Sequence, residues 1–128
     1  MPYINVKLNA KENDELREKI VEIVLDKTVN ILNKKKEVTS ILVEFFPENS
    51  WSIGGKVCTT FNLDIKITKG TNNKDQKANY IKSVFKEFKN LFGEISIASY
   101  ITVDEISADS WGFEGLTQEY RYIKSKIE

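Results

Sequence analysis

The feature that most restricts the fold of this chain is an internal repeat of sixty residues. A shift of that length superposes Trp51 on Trp111 and Gly55 on Gly115. It also superposes four apolar pairs: Ile20 with Tyr80, Val24 with Val84, Ile41 with Ile101, and Val43 with Val103. Self-similarity at a fixed period indicates that one supersecondary unit occurs twice in tandem.

The first half has the pattern of a strand, a helix and a second strand. Residues 3–8 alternate between apolar and polar, which is the period of a half-buried strand. A helix with an apolar face is predicted from Asn13, its cap, to about residue 33, and Lys34–Lys36 are expected to close it with positive charge. Residues 39–46 are rich in β-branched and aromatic residues, which predicts the second strand.

The second half repeats this order, and a glycine-ended turn follows each unit. We predict a strand over 61–67, a helix capped by Asn72–Asn73 and ended by Gly93, and a strand over 95–106 with Ile97 facing inward. The first strands superpose after a shift of fifty-nine, so one additional residue lies in the connecting loop.

Two βαβ units predict a two-layer α+β fold, because parallel strands need a crossover helix that packs back on the sheet. We expect one domain over residues 1–128, with repeats at 2–57 and 61–117 and a C-terminal tail at 118–128. The sheet should have four strands of mixed direction and carry both helices on one face. The other face would mix polar and apolar side chains, which favours an oligomer surface.

Composition excludes several kinds of chemistry. Because the 128 residues include no histidine and one cysteine, Cys58, the chain cannot form a Ser-His-Asp triad, a Cys-His pair or a His/Cys zinc site. The 19 basic and 19 acidic residues balance, so we expect neither nucleic acid nor a membrane as a partner. The start of the chain lacks the apolar core of a signal peptide, so a cytoplasmic location is predicted.

Pro2 is the candidate catalytic residue. Removal of Met1 would expose its secondary amine at the start of the first strand. An α-amino group has a reference pKa of about 7.7–8.0. Burial or a nearby cation lowers that value toward the range that suits a general base at neutral pH.

Three segments together resemble the tautomerase superfamily, in particular the fused, double-length form similar to macrophage migration inhibitory factor and related to 4-oxalocrotonate tautomerase. The segments are Met1–Ile4, Trp51–Gly55 and Ala108–Gly115. The resemblance covers nearly the whole chain. It implies a homotrimer in which Pro2, without metal or other cofactor, moves a proton in a small keto-enol or 2-hydroxy-dienoate acid.

The resemblance also implies residues that bind the substrate carboxylate. Lys36 lies where the migration inhibitory factor group has a pocket lysine, and Lys69 lies where fused relatives carry an arginine. Tyr100 matches a pocket tyrosine that a neighbouring subunit would supply. Lys11 follows the first strand, where the small form has an arginine.

The chain departs from the family pattern in its arginines, of which Arg17 and Arg121 are the only two. Lysines must therefore bind the carboxylate without the bidentate fork of arginine. Two alternatives stay open. One is dehalogenation, hydration or decarboxylation, which would need a water-activating acid such as Glu114 near Pro2. The other is a non-catalytic oligomeric module of the same fold.

Overall fold

The computed structural model describes residues 2–127, so the expected removal of Met1 falls outside the described part. Its strands and helices follow in the order β1 (Tyr3–Leu8), α1 (Asp14–Leu32), β2 (Ser40–Phe45), β3 (Ser52–Ile53), β4 (Lys56–Val57), β5 (Phe61–Thr68), α2 (Lys74–Phe92), β6 (Tyr100–Ile106), β7 (Gly112–Phe113), β8 (Leu116–Thr117) and α3 (Gln118–Ile127). Short 3₁₀ turns span Lys36–Val38 and Glu48–Ser50.

The main sheet has four strands in the order β2-β1-β5-β6. β2 runs parallel to β1, and β6 runs parallel to β5. The two inner strands, β1 and β5, are antiparallel and join the repeats. The predicted mixed sheet of tandem βαβ units is therefore confirmed.

Both long helices cover one face of the sheet and share one core with it. The alternate residues of β1 that face the helices, Ile4, Val6 and Leu8, are almost completely buried. Four phenylalanine rings cluster where α2 crosses β5: Phe61, Phe85, Phe88 and Phe92. A two-layer α+β domain results, as predicted.

The boundaries of the elements confirm the sixty-residue period. α1 starts at Asp14 and α2 at Lys74, and the capping side chains are Asn13 and Asn73, one residue earlier in each case. Asn73 forms a complete capping box with Gln76. The glycine-ended turns are β-hairpins whose central residues are Gly54–Gly55 and Glu114–Gly115, all with positive φ, as a tight hairpin turn of this kind requires.

The predicted strand over 95–106 is too long, because its first five residues do not pair. β6 begins at Tyr100, and Ile97 is 95% exposed rather than inward-facing. Ser96 explains the difference, since its hydroxyl accepts from the backbone N–H of Ala98 and its carbonyl accepts from the Ser99 hydroxyl. These local hydrogen bonds form a turn in place of a sheet ladder.

Two further expectations need correction. Lys34–Lys36 do not lie in the last turn of the first helix, because α1 ends at Leu32 and Asn33 caps it in the left-handed conformation. The segment predicted as a tail is the helix α3, none of whose residues is buried. No helix within residues 2–127 is long and apolar enough to cross a membrane.

Gly112→Ala should disrupt the second hairpin. A Cβ atom at Gly112 would overlap the Leu116 carbonyl oxygen and lie 2.7 Å from the Thr117 Cα, both backbone atoms of the paired strand. We expect the free energy of unfolding to fall by at least the roughly 1–3 kcal/mol typical of overpacking. Ser52→Ala is the matched control, because Ser52 holds the same position in the first hairpin and is exposed. Equal urea midpoints for the two variants would contradict this prediction.

Stability at alkaline pH should depend on Tyr80, which is fully buried and hydrogen-bonded to Thr28 at 2.9 Å between the two long helices. Burial raises the pKa of Tyr80 to about 12, although the Thr28 hydrogen bond acts in the opposite direction. The folded state therefore holds this proton more tightly than the unfolded chain, whose tyrosines have a pKa of about 10. The contribution of the protonated Tyr80 to the free energy of unfolding is complete below pH ~10 and is lost as the pH rises toward 12.

The comparison variant for this effect is Tyr80→Phe. Between pH ~10 and 12, unfolding free energy of the parent should fall by up to about 1.4 kcal/mol per pH unit more than that of the variant. Urea titrations at several alkaline pH values measure the difference. Parallel pH profiles for the two proteins would exclude a role for the buried phenol.

Candidate active site

The sheet has two ends, and the candidate residues divide between them. The starts of β1 and β2 and the ends of β5 and β6 lie together at what we call the proline end. The N-terminus of α2 and the C-terminus of α1 lie at the same end, because each helix connects two parallel strands. The starts of β5 and β6 lie at the opposite end.

Pro2 is buried at the proline end, one residue before β1. Its carbonyl oxygen accepts a hydrogen bond of 3.2 Å from the backbone N–H of Ser40, at the start of β2. Tyr3 pairs with Lys66, so the antiparallel register places Pro2 opposite Ile67. Pro2 is thus held between the start of one strand and the end of another.

Lys36 lies in the turn that leads to Ser40, the hydrogen-bond partner of Pro2. It starts the 3₁₀ turn before β2, and its carbonyl accepts from the N–H of Thr39 at 3.2 Å, immediately before the residue that binds Pro2. Lys36 also lines an open groove of about 560 Å³ at the edge of β2. The other lining residues of this groove are Val21, Leu25, Glu37, Thr39 and Ile41.

Lys69 reaches the proline end from the opposite direction. It follows β5 directly, and its backbone N–H donates to the Ile106 carbonyl at 2.8 Å. The following residues contact the end of α1 and the segment after it: the Asn72 amide donates to the Leu32 carbonyl at 3.0 Å, and the Lys34 ammonium donates to the Thr71 hydroxyl at 2.9 Å. The loop that carries Lys69 is therefore attached to both β6 and α1.

The loops of the proline end carry several lysines that would attract an anion, beside the acidic Glu37 in the same turn as Lys36. Lys34, Lys36 and Lys69 lie in its loops, and the N-terminus of α2 adds the positive end of a helix dipole. Burial lowers the pKa of Lys34, which sequence reasoning did not single out because its spacing indicates only a helix end. A carboxylate would be attracted here, and a basic amine would lose its proton more easily.

Sequence reasoning also missed Glu105, which lies on β6 in the same row of the sheet as Pro2. The Lys77 ammonium donates to its carboxylate at 2.7 Å, and the backbone N–H of Gly70 lies 3.5 Å from the second oxygen. The Lys77 hydrogen bond is the main cause that holds the pKa of Glu105 below its usual value. In the predicted strand, Glu105 has no feature that separates it from the other residues. Nothing in the sequence indicates that its partner is Lys77 of α2.

Lys11 and Tyr100 are not brought near Pro2 within one chain. Lys11 follows β1 at the opposite end of the sheet and lines an open groove of about 730 Å³. Tyr100 is the first residue of β6, also at the opposite end, and is 68% exposed. A site that contained these two residues and Pro2 would need a second subunit.

The second hairpin packs on the proline end. The Trp111 indole N–H donates to the Thr68 hydroxyl at 3.1 Å, so the hairpin is fixed to the end of β5. Arg121 of α3 stacks on the Phe113 ring at 3.7 Å and lies 3.7 Å from the Glu114 carboxylate. The Glu114 side chain is 81% exposed, which is typical of a surface residue.

Comparison with known proteins supports the same family. The tautomerase enzyme family model matches residues 2–60. A protein of Helicobacter pylori (strain ATCC 700392 / 26695) named "Probable tautomerase" is 32% identical over 59 residues, which are 44% of this chain and 87% of that protein. The match to the family model begins at Pro2 and ends just before β5, so it spans the first repeat.

Solved structures extend the likeness to both repeats. The R7 fused 4-OT asymmetric trimer has a TM-score of 0.83 at 18% identity, and the likeness covers 94% of this chain and 98% of that one. The macrophage migration inhibitory factor-like protein of Entamoeba histolytica has a TM-score of 0.77 at 19% identity, covering 91% and 97%. At these identities the likeness establishes the fold. Together with the sequence match, it shows that the chain belongs to the tautomerase family.

Proposed function

We propose that the protein is a cofactor-independent tautomerase in which the secondary amine of Pro2 is the general base. The amine takes a proton from one carbon or oxygen of a small keto-enol or 2-hydroxy-dienoate acid and returns it at another position. No atom is gained or lost in this isomerisation. Removal of Met1 is a condition of the proposal, because an acylated proline nitrogen has no basic lone pair.

The observation that carries the proposal is the position of Pro2 at the lysine-rich end of a tautomerase-family fold. Ser40 donates to the Pro2 carbonyl, and the preceding residue, Thr39, donates to the Lys36 carbonyl, so the turn that begins with Lys36 leads directly to the partner of Pro2. Lys36 and Lys69 would hold the substrate carboxylate, and their charge would lower the pKa of the Pro2 amine. Both effects favour proton abstraction at neutral pH.

Hydrolytic chemistry of the same fold has weaker support. It needs an acid that activates water beside Pro2. Glu105 is the carboxylate in the same row, but it accepts from Lys77 and lies about 10 Å from Pro2, two strand spacings away. Glu114 points to solvent. Tautomerisation requires only a base and a carboxylate site. These are the roles proposed for Pro2 and for the lysines Lys36 and Lys69.

We further propose that the protein acts as a homotrimer. The uncovered face of the sheet carries exposed apolar side chains on its outer strands, such as Leu42 and Tyr100, beside polar residues on its inner strands. An uncovered sheet face with exposed apolar side chains at both edges supports contact with other subunits. Four of the similar solved structures are fused 4-OT trimers. In a ring of three subunits, the opposite end of one sheet can meet the proline end of the next.

Covalent labelling should locate the reactive amine at Pro2. A small bromo-keto acid also alkylates thiols, so the experiment uses a Cys58→Ala background, which removes the single cysteine. We expect one adduct on the N-terminal peptide by mass spectrometry. Pro2→Ala should lower the turnover of enol-phenylpyruvate by about 100-fold or more, the usual contribution of a general base.

The pH profile provides the control for this assignment. Lys36→Met removes a positive charge near Pro2, so the pKa of the base should rise and the acid limb of kcat/KM should move to higher pH. Adducts that miss Pro2, or a Pro2→Ala variant as active as its parent, would favour the non-catalytic alternative.

Mixing two inactive variants tests whether a neighbouring subunit completes the site. Pro2→Ala and Tyr100→Phe protomers are each expected to form poorly active homotrimers. If Tyr100 acts on the Pro2 of the next subunit, random mixed trimers should contain about one intact site in four, since two independent choices must both be favourable. Co-purified mixtures should then regain about a quarter of the parent activity. No recovery in assembled mixed trimers would show that Tyr100 does not complete the Pro2 site of a neighbouring subunit, which would contradict the proposal.

A further inference from the structure

We propose that Glu105 and Lys77 are positioning residues that hold the loop Lys69–Asn72 in place for binding the substrate carboxylate. This inference rests on the proposed function and deepens it. Neither side chain is required to touch the substrate. Their effect passes through the backbone of the loop to Lys69.

Glu105 connects three parts of the structure. It lies on β6 and faces the helices, where one carboxylate oxygen accepts from the Lys77 ammonium of α2 at 2.7 Å. The other oxygen lies 3.5 Å from the backbone N–H of Gly70, the residue after Lys69. Both side chains of the pair are 28% exposed, so water only partly screens the interaction. The carboxylate therefore links the strand, the helix and the loop.

The equivalent positions of the first repeat form a different link, in which the cation of the helix binds the loop directly: Arg17 donates to the Glu12 carboxylate at 2.8 Å. The sixty-residue shift superposes Lys77 on Arg17 and Glu105 on Phe45. Arg17 lies 5.0 Å from the centre of the Phe45 ring, so a cation of the helix still contacts the strand end. The phenylalanine cannot accept a hydrogen bond from the loop.

The loop that follows β1 differs from the loop that follows β5, because it borders an open groove beside Phe45. Ala10, Lys11 and Glu12 line an open groove of about 730 Å³ together with Phe45 and residues 46–49. In the second repeat, the Glu105 carboxylate reaches across from the strand end to the loop. The link occurs in the repeat whose loop lies at the proline end.

Electrostatics alone would give Glu105 the opposite effect. A negative charge near Lys69 repels a substrate carboxylate and reduces the positive potential of the site. An ionised Glu105 improves substrate binding only if the affinity gained by positioning the loop exceeds the affinity lost through charge repulsion. The two roles therefore predict opposite changes in KM when Glu105 is removed.

The kinetic test compares Glu105→Ala, Lys77→Met and Lys77→Arg with Lys69→Met. If the pair positions Lys69, Glu105→Ala and Lys77→Met should raise KM for enol-phenylpyruvate by roughly fivefold with kcat nearly unchanged, as expected for a lost binding interaction. Lys77→Arg should restore most of the loss, because it keeps a cationic donor. Glu15→Gln is the control, since it breaks an exposed ion pair of α1 with Lys19 at 3.4 Å.

Three kinetic results would overturn the inference. KM could fall in Glu105→Ala, which is the electrostatic outcome. KM could stay constant while Lys69→Met raises it. Finally, kcat/KM and the melting temperature could both fall sharply. That result would indicate that the variants lose their folding and not only the position of the loop.

A second measurement does not depend on activity. Amide hydrogen exchange of residues 69–72 should be at least several-fold faster in Glu105→Ala and Lys77→Met than in the parent and in Glu15→Gln. Unchanged exchange would overturn the positioning role even if the enzyme proved inactive. Faster exchange in a protein whose Pro2→Ala variant retains full activity would instead count against the proposed function alone.

Discussion

The antiparallel pairing of β1 with β5 is the interaction on which the rest of the structure depends. A single βαβ unit leaves the outer edge of its first strand without a pairing partner, and its helix lacks a second helix to pack against. Pairing the two first strands joins the units into one sheet, places both helices on the same face and lets Thr28 of one meet Tyr80 of the other. The core residues of the two repeats thereby become one cluster.

The same pairing also determines where a site can form. Because β1 and β5 run in opposite directions, the start of one repeat lies beside the end of the first strand of the other. Pro2 of the first repeat therefore lies at the same end of the sheet as Lys69 of the second. An approximate two-fold relation between the repeats would produce a matching position at the opposite end of the sheet. There the shift of fifty-nine residues puts Phe61, an internal and fully buried residue with an ordinary amide nitrogen.

Most of the fold could be predicted from the sequence because local and global signals agree in it. Apolar alternation in β1 and β5, asparagine caps before both helices and glycines in both hairpins each correspond to an observed element. The prediction failed where short-range polar contacts compete with pairing. Ile95–Ser99 looked like a strand by composition, but the Ser96 side chain and carbonyl form a turn there.

The candidate site was less predictable than the fold. Pro2 could be proposed from its place at the start of the first strand, whereas Lys36 and Lys69 are implied only by the resemblance to the tautomerase family. Glu105 and Lys77 could not, since their pairing depends on the rotation of α2 against β6, and periodicity does not specify that rotation. Tyr100 and Lys11 lie at the far end of the sheet, where one chain alone does not determine their neighbours.

The preference for lysine over arginine gives the Glu105–Lys77 pair its physical reason. An arginine fixes a carboxylate with a planar fork of donors, whereas a lysine offers a point charge on a flexible four-carbon stem. A lysine site therefore gains more from a rigid backbone beneath the side chain. The loop of Lys69 has that support on both sides. Ile106 and Glu105 of β6 hold one side, and the contacts of Asn72 with Leu32 and of Thr71 with Lys34 hold the other. Rigid attachment of the loop offsets part of the entropy that a flexible cation loses when it binds an anion.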